Sequence, residues 1–186
     1  MPEQANTLAI DHATPTIGMI PAPSATRSAD IPRNACNPRD LIREALDLLR
    51  VPLGRFVEAR MHREYGERWP EYALGALHSS HGLDRTRHEH LSTDLSALLT
   101  LVGRFWNIAF RRDTARFART YLEEAREFRN GLAHGESFTL ADALRAVDTV
   151  HRLLPIVGQS DRSRSGRLRA DLLKQLAWRG EATRPV

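Results

Sequence analysis

Apolar residues recur at spacings of three and four along four stretches of this chain, near residues 41–59, 95–109, 117–132 and 140–157. This spacing places the apolar side chains on one face of an α-helix, and that face must be buried against other helices. No stretch alternates apolar and polar residues with the period of two that marks a half-buried β-strand. The pattern therefore predicts an all-α fold.

The first stretch predicts a helix that starts after Pro38, with Asp40 as its N-cap, and reaches about Tyr65. Pro52 lies inside this stretch. Because proline lacks a backbone N–H and crowds the preceding turn, we expect either two helices or one bent helix. Residues 66–92 look irregular, with room for a short helix over residues 71–77.

Polar residues mark the starts of two later helices. Asp113 and Thr114 are the expected cap of a helix whose apolar face contains Phe117, Tyr121, Ala125, Phe128 and Leu132. Thr139 and Asp142 have the spacing of a capping box and open the next helix. An amphipathic stretch over residues 168–178 predicts a last helix, which follows an Arg/Ser-rich linker.

Composition divides the chain into three expected parts. Residues 1–37 are rich in Ala, Thr, Ser and Pro and hold five of the ten prolines. So little apolar surface cannot offset the loss of chain entropy, and we expect a disordered arm there. Residues 38–158 form the expected helical domain, and residues 159–186 form a basic linker and a basic C-terminal helix.

Arginine supplies 26 of the 27 basic residues. Residues 159–186 contain seven basic and three acidic residues, so their net charge equals the +4 of the whole chain. Within them, a stripe of arginines is suited to RNA phosphates, with which guanidinium groups pair bidentately. These candidate RNA-binding residues are Arg162, Arg164, Arg167 and Arg169. A solvated linker, and a codon bias toward arginine, are the alternative explanations.

Several classes of protein do not fit the sequence. No apolar run approaches the roughly 18 residues that a membrane span needs, and the first residues lack the basic start and apolar core of a secretory signal. Cys36 is the only cysteine, which excludes a disulfide framework and a multi-cysteine zinc site. No phosphate-binding glycine loop and no Gly-x-Ser-x-Gly motif is present. We expect a cytoplasmic protein.

Histidines are concentrated in and just before the irregular segment, as His62, His78, His81, His88 and His90. Neutral imidazole binds zinc and copper, so a metal site is one interpretation. The surrounding segment is polar, contains Arg85 and Arg87, and has no cysteine. We therefore expect a solvated loop, with no metal and no cofactor.

The residues most suited to catalysis are Arg129, Asn130 and His134. His134 can exchange protons near neutral pH, and Arg129 can neutralise charge that develops on a phosphate. Asn130 and His134 are four residues apart and share a helix face, whereas Arg129 is about 140° around the helix from His134. Arg129 and His134 converge only if the helix distorts or a partner chain completes the site. The alternative is simply a polar helix end, where cations are favourable.

The segment RNGLAH, residues 129–134, matches the Arg-x4-His pattern, with Asn after the Arg, that marks the HEPN superfamily. Three further segments strengthen the resemblance: LIREALDLLRVPLGRFVEARM over 41–61, the helix around Trp106, and the continuation of the motif to residue 154. Together they resemble the HEPN branch found at the end of eukaryotic nuclear PIN-domain endoribonucleases and in bacterial phage-defence proteins. The resemblance covers about residues 40–157.

The resemblance implies a bundle of four to five helices that forms a homodimer with two motifs in a shared cleft. Active members are metal-independent endoribonucleases. His134 would then act as general base or acid at the ribose 2′-hydroxyl, Arg129 would stabilise the phosphate, and Asn130 would position them. The products would be a 2′,3′-cyclic phosphate and a 5′-hydroxyl.

Three functions remain open from the sequence. The first is an RNA-binding endoribonuclease of toxin or phage-defence type, with RNA, a second copy and an antitoxin or effector protein as partners. The second is a non-catalytic HEPN module that dimerises or binds RNA for a partner protein. The third is a plain helical interaction protein whose arginines reflect codon bias.

Overall fold

The computed structural model describes residues 37–81 and 93–182, which all belong to one compact unit. This part of the chain contains six α-helices and no strand, which confirms the predicted all-α fold. The helices are α1 (Pro38–Tyr65), α2 (Trp69–His81), α3 (Leu95–Phe105), α4 (Arg116–His134), α5 (Leu140–Ile156) and α6 (Ser163–Ala182). A 3₁₀ turn, Gly66–Arg68, joins α1 to α2, and a π-helical turn, Trp106–Phe110, extends α3.

The long helix α1 is the centre of the bundle. It packs most extensively against α5 and also contacts α2, α3, α4 and α6. One continuous hydrophobic core results, whose largest fully buried side chains include Ile42, Leu49, Leu53, Met61, Leu101, Phe110 and Leu153. None of the helices in the described ranges is both long and apolar enough to cross a bilayer. Residues 1–36 of the expected disordered arm lie outside the described residues.

The start of α1 differs from the prediction. Asn37 is the N-cap, and its side-chain oxygen accepts a hydrogen bond from the Arg39 backbone N–H at 3.1 Å. Asp40 lies in the first turn and pairs with Arg43 instead. Pro52 is accommodated within one helix. The buried side chains on both sides of Pro52 offset the loss of one backbone hydrogen bond, which costs about 3 kcal/mol in an isolated helix.

The segment expected to be irregular is largely helical up to His81. Helix α2 begins two residues before the predicted short helix and ends four residues after it. Ala73 and Leu77 are buried in the core, and the Tyr65 and Tyr72 rings stack with centroids 4.4 Å apart. These tertiary contacts stabilise a helix whose local sequence signals are weak.

The start of α4 also corrects the prediction. The N-cap is Ala115, which has no side-chain capping bond. The Asp113 carboxylate instead pairs with Arg60 at 2.7 Å and with Arg63. The two arginines, with the Arg63 hydrogen bond as the largest contribution, hold the pKa of Asp113 below its usual value. Asp113 therefore ties the connection before α4 to α1.

Two further boundaries bear on the predictions. The capping box at the start of α5 is confirmed, with Thr139 and Asp142 bonding reciprocally. The C-terminal helix begins at Ser163, five residues earlier than predicted, so most of the expected Arg/Ser-rich linker is helical. Its inner face docks on α5 through Leu172, which is 1% exposed. Because this face packs against α5, the helix extends toward its N-terminus through part of the Arg/Ser-rich segment.

Candidate functional site

The candidate motif occupies the C-terminal end of α4. Arg129 and Asn130 are half-buried and lie about one turn before the end of α4. His134 is the last residue of the helix and is exposed. The helix stops there because Gly135 adopts a left-handed conformation with φ +77°, a region open to glycine at little cost. His134 thus lies where helix carbonyls are unpaired and positive charge is favourable.

The structure brings Arg129 and Asn130 together but leaves His134 apart from Arg129. The Arg129 Nη1 donates to the Asn130 Oδ1 at 3.4 Å, a long contact. Helix α4 remains α-helical through His134, so Arg129 and His134 stay about 140° apart around its axis. In one copy of the chain, the glycines flanking this segment do not make the two side chains converge.

The loop after α4 folds back over Gly131. The Gly131 carbonyl accepts hydrogen bonds from the Gly135 and Glu136 backbone N–H groups, the latter at 3.0 Å. A Cβ at position 131 would lie 2.6 Å from the Glu136 Oε2 and 2.8 Å from the Phe138 Cζ. Because the loop after α4 approaches the helix this closely, position 131 requires glycine. The same approach places the Glu136 carboxylate against α4, the helix that carries His134.

Arg39, from the first turn of α1, completes this helix end. Its Nη1 donates to the Glu136 carbonyl at 3.0 Å, and its Nη2 donates to the Leu132 carbonyl. One guanidinium therefore bonds both the last turn of α4 and the loop beyond it, on either side of His134. Sequence reasoning missed Arg39 because its partners lie 93 and 97 residues away and are backbone atoms.

The four tail arginines lie on and just before α6, and two of them are engaged with the bundle. Arg164 pairs with Glu44 at 2.8 Å, and Arg169 pairs with Asp148 at 2.9 Å. Burial would raise the pKa of Asp148, but hydrogen bonds from Arg152 and Arg169 outweigh it and lower that pKa. Arg162 and Arg167 form no ion pair with any carboxylate that the structure describes. Only part of the predicted stripe is thus unpaired.

The contact between α5 and α6 also contains a histidine that the sequence analysis did not single out. His151 Nδ1 lies 2.9 Å from the Oγ of Ser165, a residue that is 1% exposed. Burial, followed by the positive charge of Arg162 and Arg169, lowers the pKa of His151. The neutral form of the His151 imidazole is therefore favoured in the packing between these helices.

The predicted histidine loop is only partly within the described residues. His62 lies on α1 and contacts Glu67 at 3.0 Å, and His78 and His81 lie on α2. His88 and His90 fall outside the described residues, as does Cys36. In the two described ranges, no three His, Cys, Asp or Glu residues are grouped so that they could hold a metal ion.

Comparison with known protein families matches the larger part of the chain. A family model described as Swt1-like HEPN matches residues 44–158, which include Arg129, Asn130 and His134 but neither Arg39 nor the tail arginines. No curated protein matches the chain. No solved structure matches it.

Proposed function

Because the chain belongs to the Swt1-like HEPN family, a class of RNA-related domain, we propose that it is a metal-independent endoribonuclease. The observation that carries the proposal is the position of Arg129, Asn130 and His134 at one accessible helix end within the matched region. A base, a guanidinium and an amide are the groups that cleavage by the ribose 2′-hydroxyl needs.

In the proposed reaction, His134 takes the proton from the 2′-hydroxyl as the 2′-oxygen attacks the adjacent phosphorus. The bond from phosphorus to the 5′-oxygen breaks, and that oxygen takes a proton from water to become a 5′-hydroxyl, while the protonated His134 returns its proton to the resulting hydroxide. The other product is a 2′,3′-cyclic phosphate, so atoms and charge balance without a metal. Arg129 stabilises the negative charge on the phosphorane, and Asn130, within hydrogen-bond distance of Arg129, orients its guanidinium.

A second copy of the chain would complete the site. Since about 140° separates Arg129 from His134 on one helix, Arg129 of one copy would act with His134 of the other. A two-fold symmetric dimer would then contain two such composite sites. In a cell the enzyme would be a toxin or phage-defence effector, restrained by an antitoxin or effector partner.

Fragment-end analysis tests the activity. Purified protein is incubated in EDTA with end-labelled single-stranded RNA, beside His134→Ala and the control His62→Ala, which removes an exposed histidine on α1. We expect cyclic-phosphate ends from the parent and the control, and a rate at least about 100-fold lower for His134→Ala. Intact RNA in every lane would contradict the proposal.

Mixing two inactive variants tests the composite site. Arg129→Ala and His134→Ala are each inactive alone, but a dimer of one with the other keeps one site with both groups. After random exchange in an equal mixture, about half of the dimers are mixed, and each of these has one intact site out of two. About a quarter of the parent activity should therefore be restored. No restoration, with exchange verified by mass spectrometry, would show that both groups act within one copy.

The second candidate function is a non-catalytic module that binds RNA or dimerises for a partner protein. The observation that favours it is the lack of convergence between Arg129 and His134 in one copy. In that case RNA stays intact, and His134→Ala and Arg129→Ala leave RNA affinity unchanged.

A further inference from the structure

A cleft of about 310 Å³ lies between α3, its π-helical turn and α4. Its volume is at the lower end of the range for small-molecule sites. The lining residues come from two turns of α3 and two turns of α4, together with Trp106. Arg129, Asn130 and His134 are not among its lining residues.

The cleft has an apolar floor and a basic rim. Val102, Trp106 and Leu122 are buried and contribute to the floor. The rim contains the guanidinium groups of Arg104, Arg119 and Arg126, against one carboxylate, Glu123, which pairs with Arg119 at 2.8 Å. An apolar floor beneath the guanidinium groups of Arg119 and Arg126, of which Arg119 is paired with Glu123, fits a planar base attached to a phosphate.

Arg126 is the rim residue most available to a ligand. Its side chain is exposed and makes no ion pair or hydrogen bond with the residues that the structure describes. Arg119, by contrast, is held by Glu123 and lies over the Trp106 ring, 6.0 Å from its centroid. Because the Arg126 guanidinium has no partner among the described residues, it is available to bind an anion at the rim of the cleft.

The cleft and Asn130 of the candidate motif lie on the same side of α4. Asn130 follows Arg126 by four residues, so the two share a face about 40° apart and are separated by about 6 Å along the axis. Arg119 lies on the same face, about 20° from Arg126. A strand bound at the motif would therefore pass the cleft if it ran along α4 toward its N-terminus.

We propose that this cleft binds one nucleotide of the RNA strand next to the cleavage site, with its phosphate on Arg126 and its base on the apolar floor. The proposal rests on the proposed function, because it assumes that the strand passes Arg129 and His134. It assigns RNA recognition to α3 and α4, not only to the tail, where Arg164 and Arg169 are paired with carboxylates.

RNA binding is measured separately from cleavage, in the His134→Ala background, by fluorescence anisotropy of a labelled single-stranded oligonucleotide. Adding Arg126→Ala should weaken binding roughly tenfold, as expected for one charge-assisted contact. It should also reduce the slope of log affinity against log salt by about 0.7. The control is Arg55→Ala, which removes an exposed arginine on α1 beside a different cleft.

A second variant blocks the cleft without changing its charge. Gly103 lines the cleft and is exposed, and a Cβ there would meet no atom within 4 Å. Gly103→Leu should therefore fill the space while keeping α3 folded, since leucine has a higher helix propensity than glycine. We expect weaker RNA binding with an unchanged melting temperature.

The outcomes are distinguishable from those of the activity assay. If RNA binds but is never cleaved, the endoribonuclease proposal fails, while sensitivity to Arg126→Ala and Gly103→Leu still supports the cleft. If both variants bind RNA as the Arg55→Ala control does, the cleft proposal is overturned whether or not the parent cleaves. Tighter binding of polyglutamate than of RNA at the cleft would likewise overturn it in favour of an acidic peptide.

Discussion

Replacing Arg39 with alanine should loosen the C-terminal end of α4 and slow the proposed reaction at His134. Arg39 donates to the Leu132 and Glu136 carbonyls, which lie two residues before and two residues after His134. The guanidinium thereby pairs the Leu132 carbonyl, which the helix itself leaves unsatisfied, and a carbonyl of the loop after it. Without it, the last turn of α4 and the following loop lose their side-chain hydrogen bonds to α1 and keep only the apolar packing of Leu132 and Phe138 against the core.

The magnitude follows from the geometry. Hydrogen bonds that involve a charged group contribute about 1.5–3 kcal/mol each when removed from water. Arg39 is only half-buried, so water replaces part of this, and we expect a total loss of about 2 kcal/mol. For a domain of this size, 1 kcal/mol changes the melting temperature by roughly 2–4 °C, which gives a decrease of about 6 °C.

The assay combines thermal unfolding with RNA cleavage. Arg43→Ala is the matched control, because it removes an arginine one turn away whose ion pair with Asp40 is exposed and contributes about 0–1 kcal/mol. We expect kcat to fall roughly tenfold in Arg39→Ala with little change in KM, because the misplaced group acts in the chemical step. Arg39→Lys should be intermediate. A melting temperature and a kcat equal to those of Arg43→Ala would refute this reasoning.

Two further predictions concern packing and pH. Gly131→Ala should destabilise the fold by about 1 kcal/mol in urea unfolding, because the clash with Glu136 and Phe138 outweighs the gain in helix propensity. Gly75→Ala, where a Cβ meets nothing within 4 Å, should be neutral or stabilising, and the same result for both would contradict the packing argument. Burial and nearby arginines lower the pKa of His151, so the folded chain binds this proton more weakly than the unfolded chain. Its contribution to stability is therefore complete above pH 6.5 and is lost as the pH falls below that value. His151→Asn should reduce the difference between the urea midpoints at pH 7.5 and 5.5, and an unchanged difference would exclude His151 as the cause.

Local patterns in the sequence were sufficient for the helices that have strong local signals. The spacing of apolar residues predicted α3, α4 and α5, and the Thr139–Asp142 box marked the start of α5 to the residue. These features depend on residues within one or two turns of each other, so the chain's local order determines them. The position of the Arg-x4-His motif on a helix was predictable for the same reason.

Where a residue has a choice of partners, local patterns were misleading. Asp40 and Asp113 are both suited to capping, but each forms ion pairs with arginines instead. Phe117 fits the apolar spacing of α4 but is 58% exposed, because the core is reached through Ala118 and Leu122 one position along. The neighbouring helices determine which side of a helix faces the core. Sequence spacing alone leaves the position of that buried face uncertain by about one residue.

The sequence by itself determined the all-α class, the helix that carries Arg129, Asn130 and His134, and the concentration of positive charge near the C-terminus. Only the tertiary structure placed Arg39 on the end of α4, paired Arg164 and Arg169 with the bundle, and formed the basic cleft that contains Arg126. The physical reason is distance along the chain. Helix formation depends on neighbours three and four residues away, whereas hydrogen bonds and clefts are made by groups that meet only after the helices have packed.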